Sequence, residues 1–130
     1  MSYILLVEDN KENAEMTIRI LESANYRVKH VINGLESTPA VRHEKPALIL
    51  MDFDLPDVNG RTMVLVLKKL APTVPVVAVT ARTGEAEMRI AKGFGCSAFI
   101  SKPFDPQHLL TVVGKFVPAP AASPPPTPAP

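Results

Sequence analysis

Short apolar runs, each closed by a polar or charged residue, are the feature that most restricts what this chain can fold into. They are Tyr3–Val7, closed by Glu8-Asp9; Ala47–Met51, closed by Asp52; Val76–Val79, closed by Thr80; and Ala98–Ile100, leading through Ser101 to Lys102. Short runs that are apolar throughout, rather than alternating, read as strands buried on both faces. Between them lie segments with a helical period. Lys11–Ala24 puts Ala14, Thr17, Ile18 and Leu21 on one face, and Asn10 stands where a cap belongs. Arg27–Val31 alternates and reads as a shorter, less buried strand. Asn33 followed by Glu36 resembles a capping box and starts a helix to about His43. Asn59 begins a Val- and Leu-rich helix to about Leu70, and Pro72 and Pro75 bracket the turn into the next strand. Thr83–Gly93 reads as a polar helix with Ala86, Ile90 and Ala91 as its few apolar anchors. Asp105 then Pro106 is a cap followed by proline at the first helical position. The last helix runs to about Val117, with Leu109, Val112, Val113 and Phe116 on one face.

This is a βα alternation repeated five times. It predicts an α/β fold: a doubly wound, five-stranded parallel sheet with five helices. Right-handed crossovers leave few topologies, and the flavodoxin-like order 2-1-3-4-5 is the natural one. Every strand's carboxyl end then lies on one edge. Glu8, Asp9, Asp52, Thr80 and Lys102 converge there, where open α/β sheets place their chemistry.

Residues 1–117 form the expected folded unit. Residues 118–130, PAPAASPPPTPAP, hold seven of the fourteen prolines and no charge. Such a tail supports neither helix nor ladder and is expected to be extended and disordered. It reads as a linker stub, or as a proline-rich ligand for an aromatic groove. A net charge of +1 gives no basic footprint for nucleic acid. The single cysteine, Cys96, excludes an internal disulfide framework and a cysteine-based zinc site, and reads as a small, semi-buried residue. No apolar stretch has membrane-spanning length, and Met1-Ser2-Tyr3 enters a strand with no secretion signal, so the cytoplasm is expected. His30, His43 and His108 are scattered and receive no chemistry.

Carboxylates gathered on one sheet edge repel. One like-charge pair about 4 Å apart costs roughly 4 kcal/mol at an effective dielectric near 20. Lys102 supplies one compensating charge, and a hard divalent cation would supply the rest. An all-oxygen donor set without histidine or cysteine suits Mg²⁺. A phosphoryl group arriving at Asp52 would meet that metal, the Lys102 ammonium and the Thr80 hydroxyl. Phosphoryl transfer asks for positioning and charge neutralisation, and a carboxylate serves as nucleophile. The chain has neither GxxxxGK[ST] nor GxGxxG, so the donor is expected to be another protein or a small phosphorylated molecule.

The segments ILLVEDN, LILMDFDLPDVNG, VVAVTA and AFISKPF, in this order and at this spacing, resemble the receiver domain of two-component response regulators, the CheY-like family of bacterial signalling. The resemblance covers residues 2 to about 117. It implies Asp52 as phosphoacceptor, Asp9 as a direct Mg²⁺ ligand and Glu8 as a ligand largely through water. Asp54 would give its backbone carbonyl to the metal. Thr80 and Lys102 would bind the phosphoryl oxygens, and a cis Lys102–Pro103 peptide bond is implied. It further implies a switch in which Thr80 moves toward the phosphoryl group and Phe99 swings inward. The readout face would be the Thr83–Gly93 helix, the fifth strand and the last helix. A sensor histidine kinase or histidine phosphotransfer protein would be the donor, with no direct role for nucleic acid or membrane. The chain would be a stand-alone regulator or a module excised before a linker, catalysing only its own phosphorylation and dephosphorylation.

Taken singly, Glu8-Asp9 would be capping acids, Thr80 a strand-end residue, Lys102 solvated surface and Phe99 simple core. Asp57 reads as turn chemistry beside Pro56, and Gly60 as close packing at the loop's end. Arg82 and Asp54 flank the mouth of the site and are placed to tune loss of the phosphoryl group. Two other functions compete. Asp52-Phe53-Asp54 also fits the DxD of a haloacid-dehalogenase-like phosphatase, but that pattern does not ask for an acid pair at Glu8-Asp9. A receiver-like binding module that takes no phosphate would be marked by a missing acceptor, threonine or lysine, and none is missing.

Overall fold

The computed structural model describes residues 2–54, 60–81 and 84–118. Its elements are β1 (Ile4–Val7), α1 (Lys11–Ser23), β2 (Val28–Val31), α2 (Gly34–His43), β3 (Leu48–Asp52), α3 (Gly60–Leu70), β4 (Val76–Thr80), α4 (Glu85–Gly93), β5 (Ala98–Ser101) and α5 (Pro106–Phe116). The strands form one parallel sheet in the order β2-β1-β3-β4-β5, so the flavodoxin-like expectation holds. The readings of Asp57, Asn59, Arg82, Thr83 and the tail beyond Pro118 lie outside the described residues.

Period-two alternation divides the strand residues between two cores. Leu5, Val7, Ile49, Met51, Val76 and Ala78 face α2, α3 and α4, meeting Val41, Val64, Leu67 and Ala91. Ile4, Leu6, Leu48, Leu50, Val77, Val79 and Ile100 face α1 and α5, meeting Ala14, Leu21, Leu109, Val112 and Val113. Every residue of β1, β3 and β4 is buried. A large apolar side chain fully removed from water contributes about 1.5–3 kcal/mol, so these three strands fix the frame.

The helix starts follow their caps. The Asn10 side chain accepts from the Asn13 amide at 2.9 Å, and that of Asn33 from the Glu36 amide at 2.9 Å. Glu36 reaches back to the Ile32 amide at 3.1 Å, one residue earlier than a standard capping box. Asp105 accepts from the Gln107 amide at 2.7 Å, with Pro106 opening α5. The α4 expectation needs correcting. Of its three expected anchors only Ala91 is buried; Ala86 is exposed and Ile90 is 39% exposed. The helix is turned so that Glu87, Ala91 and Phe94, at i, i+4 and i+7, face inward, with Glu87 and Phe94 half-buried. Ala86 and Ile90 share a different face. α4 also begins at Gly84, with φ of 120° and no side-chain cap. Cys96 is buried rather than semi-buried.

At the opposite edge, where the strands begin, the Tyr3 hydroxyl donates to the Glu44 carbonyl and the Tyr26 hydroxyl to the Val117 carbonyl. The Arg27 guanidinium lies 5.8 Å from the Tyr3 ring centroid. These contacts pin the base of the sheet and the end of α5.

Candidate functional site

Strand register builds the site. Val7 pairs with Met51, so Glu8 and Asp52 leave neighbouring strands side by side. Asp52 pairs with Val79, and Thr80 with Ser101, the residue before Lys102. With strands about 4.8 Å apart, the carboxyl ends of β1, β3, β4 and β5 supply one cluster of side chains.

Lys102 Nζ lies 3.1 Å from Asp52 Oδ2 and 3.4 Å from Glu8 Oε1. Asp52 Oδ1 accepts from the Asp54 amide at 2.8 Å. Asp52 is 3% exposed and Glu8 4% exposed, whereas Asp9 is exposed at the rim. Glu8 Oε2 accepts from the Asn10 amide at 3.3 Å. Burial, then the hydrogen bond and negative charge of Asp52, push the Glu8 carboxyl up to about 8, against the pull of Lys102 and the Asn10 amide. Burial works against the charged Lys102 ammonium, but Asp52 and Glu8 outweigh it and raise its pKa. The acids thus share too little positive charge: burial and Asp52 favour the protonated form of Glu8, while the two acids favour the charged form of Lys102.

A divalent cation fits this deficit. Glu8, Asp9 and Asp52 can each offer a carboxylate oxygen, with the three atoms within 4.8 Å of one another. Oxygen donors with open solvent at the Asp9 side suit a hard ion that keeps waters. The Lys102–Pro103 peptide bond is cis, and it turns the chain at the wall of the site. Beside it lies a mostly apolar groove of about 200 Å³, lined by Asn13, Met16, Ala81, Lys102, Pro103 and Phe104.

Thr80 sits one strand away from Asp52, 1% exposed. Its hydroxyl lies 3.2 and 3.3 Å from the two carboxylate oxygens of Asp54. The Ala81 amide donates to Asp54 Oδ2 at 3.0 Å. Sequence reading gave Asp54 a backbone role and a place at the mouth; it missed this side-chain engagement. The signal available was only the presence of an acid two residues past a strand-end acid. It also missed His30, whose Nε2 lies 2.7 Å from the Glu8 carbonyl and ties β2 to the loop carrying the acid pair. Phe99 is half-buried against the α2–α4 core.

This acid cluster facing a threonine and a lysine across four strand ends defines the class, and the chain belongs to the response regulator receiver domain family. The family's sequence profile matches residues 4–114. The polar-differentiation response regulator DivK of Brucella anthropi is 35% identical over 117 residues, covering 88% of this chain and 94% of that protein. A CheY-like receiver domain protein from Methanospirillum hungatei superposes with a TM-score of 0.82 at 28% identity, covering 88% of this chain and 92% of the other. The receiver domain of a sensor histidine kinase from Pseudomonas aeruginosa, solved with a magnesium ion coordinated in the active site cleft, gives 0.81 at 27% identity, covering 88% and 96%. The chain is therefore a two-component signalling module and not a conventional enzyme. Among the described residues no helix is long and apolar enough to cross a membrane.

Proposed function

We propose that this domain accepts a phosphoryl group on Asp52 from the phosphohistidine of a sensor kinase or phosphotransfer protein. The observation that carries the reading is the Asp52 carboxylate held between the Lys102 ammonium at 3.1 Å and the Asp54 amide at 2.8 Å, beside Glu8 and Asp9. An Asp52 oxygen attacks phosphorus; the P–N bond of phosphohistidine breaks, its electron pair returns to the imidazole, and an acyl phosphate forms. Glu8, Asp9, Asp52 and the Asp54 backbone carbonyl would hold Mg²⁺, which neutralises charge on the acids and on the transferring group. Lys102, relieved of balancing two acids, turns its ammonium to a phosphoryl oxygen. Thr80 donates its hydroxyl to another.

Movement of Thr80 toward Asp52 opens space behind it for Phe99. The readout face is α4, β5 and α5, offered to a downstream protein. Residues 1–117 act as the signalling unit and the proline-rich tail as a linker or ligand segment. A reducing, cytoplasmic setting suits a chain whose one cysteine is a buried free thiol.

Intact mass after incubation with acetyl phosphate tests the reading. One phosphoryl gain is expected, requiring Mg²⁺ and absent in Asp52→Asn. A gain that survives Asp52→Asn, or no gain with Mg²⁺ present, overturns it.

A further inference from the structure

The Asp54 carboxylate has an engagement that the phosphoryl chemistry above does not use. It accepts from the Ala81 amide at 3.0 Å, and the Thr80 hydroxyl stands 3.2 and 3.3 Å from its two oxygens. An ionised carboxylate only accepts hydrogen bonds, so Thr80 is the donor. The end of β4 therefore presents two donors to one anion, and that anion is Asp54. The same hydroxyl is the one required by a phosphoryl group on Asp52. It has one proton and cannot serve both acceptors at full strength.

We propose that the Asp54 side chain is an internal decoy for the phosphoryl group. It holds the Thr80 hydroxyl and the Ala81 amide while Asp52 is unmodified, and surrenders them when Asp52 carries phosphate. The inference rests on Asp52 being the acceptor. Backbone contacts place the decoy: the Asp54 amide donates to Asp52 Oδ1 at 2.8 Å, and the Phe53 amide donates to the Val79 carbonyl at 2.9 Å. The start of the loop after β3 is thus laced to both the acceptor and β4. Asp54 is exposed, so its displaced carboxylate rotates into water and leaves no buried unpaired charge. A phosphoryl group brings close to two negative charges to its side. Repulsion and competition for donors act in the same direction. Asp54 thereby sets how strong an occupant of Asp52 must be before Thr80 moves.

Beryllofluoride with Mg²⁺, titrated against the full chain by fluorine NMR, measures that threshold. Asp54→Ala should bind about tenfold more tightly than the unmodified chain, the effect of losing a charge-assisted competitor. Asp54→Asn, which keeps a neutral acceptor, should fall between. Removing a negative charge alone would also favour an anion, so the cycle is completed in a Thr80→Val background. There the gain from Asp54→Ala should shrink to about twofold or less, the residue expected of screened surface charge alone. An undiminished gain, or no gain in either background, overturns the proposal. A second readout needs neither metal nor phosphoryl analogue: the Thr80 side-chain rotamer, from three-bond couplings of its γ-methyl. It should be single in the unmodified chain and averaged in Asp54→Ala; an unchanged single rotamer overturns the decoy. Failure of every chain to bind beryllofluoride would instead sink the acceptor reading, and the rotamer result would still decide whether Asp54 holds the hydroxyl.

Discussion

α1 and α4 both follow a strand that contributes to the site, yet they are held very differently. α1 begins at a capping asparagine and buries Ala14, Thr17 and Leu21. α4 begins at an uncapped glycine and buries Ala91 alone. The strands beside them differ too. β1 is buried throughout, whereas in β5 only Ile100 is. The acids that balance charge therefore stand on a stiff frame, and the elements proposed to move lie at its loosely anchored edge. A switch needs this inequality, because a ligand shifts only what is already close in energy between two states.

The comparison breaks first on core substitution. Leu50→Ala, at a fully buried site, should cost about 3 kcal/mol in urea unfolding. Ile90→Ala on α4 should change stability by less than about 0.5 kcal/mol. Similar costs would erase the distinction. Amide hydrogen exchange sharpens it: α4 amides should exchange at least about a hundredfold faster than those of β1, β3 and β4.

A smaller effect separates the acid cluster from the rest of the frame. Glu8 is raised to about 8 by burial and by Asp52, well above the 4.5 of a free carboxyl. The folded state thus holds a proton that the unfolded chain gives up. Its stabilising contribution is full below about pH 4.5 and is lost as pH rises through 8. In EDTA, the unfolding free energy from urea titration should fall between pH 5 and pH 9 by an amount on the order of 2 kcal/mol. Glu8→Gln should flatten that slope. Mg²⁺ binding at pH 7 should release a proton, seen as a buffer-dependent heat that vanishes in Glu8→Gln.

The smallest effect concerns Cys96. Burial pushes its thiol up to about 12, outweighing the pull of Lys68. The stability it contributes is intact below about pH 9 and lost as pH climbs through 12, outside the working range. Labelling by a disulfide reagent at pH 8 should track opening of the fold, and labelling at the rate of a free thiol would contradict it.

Most of the frame was legible because β1, and β3 and β4 up to their terminal Asp52 and Thr80, are apolar at every position, the pattern of strands covered on both faces. The acids, Thr80 and Lys102 were legible because they terminate those runs. What escaped was set by tertiary placement. Helical period gave α4 a sequence face, but its neighbours decided that the face centred on Ala91 is the one covered. Asp54 carries its side chain toward β4 because the Phe53 amide bonds the Val79 carbonyl and the Asp54 amide bonds Asp52, pairings its neighbours in sequence do not encode. His30 meets the Glu8 carbonyl only because β2 and β1 are in register, Leu6 opposite His30.

The tie between the Tyr26 hydroxyl and the Val117 carbonyl has a practical side. It fixes the exit of α5 at the floor of the sheet, the height of a five-residue strand, about 17 Å, from the acid cluster. A fluorophore, surface anchor or fused reporter joined beyond that point starts from a rigid mount on the far side of the molecule. It leaves the acid cluster at the other end of the sheet clear.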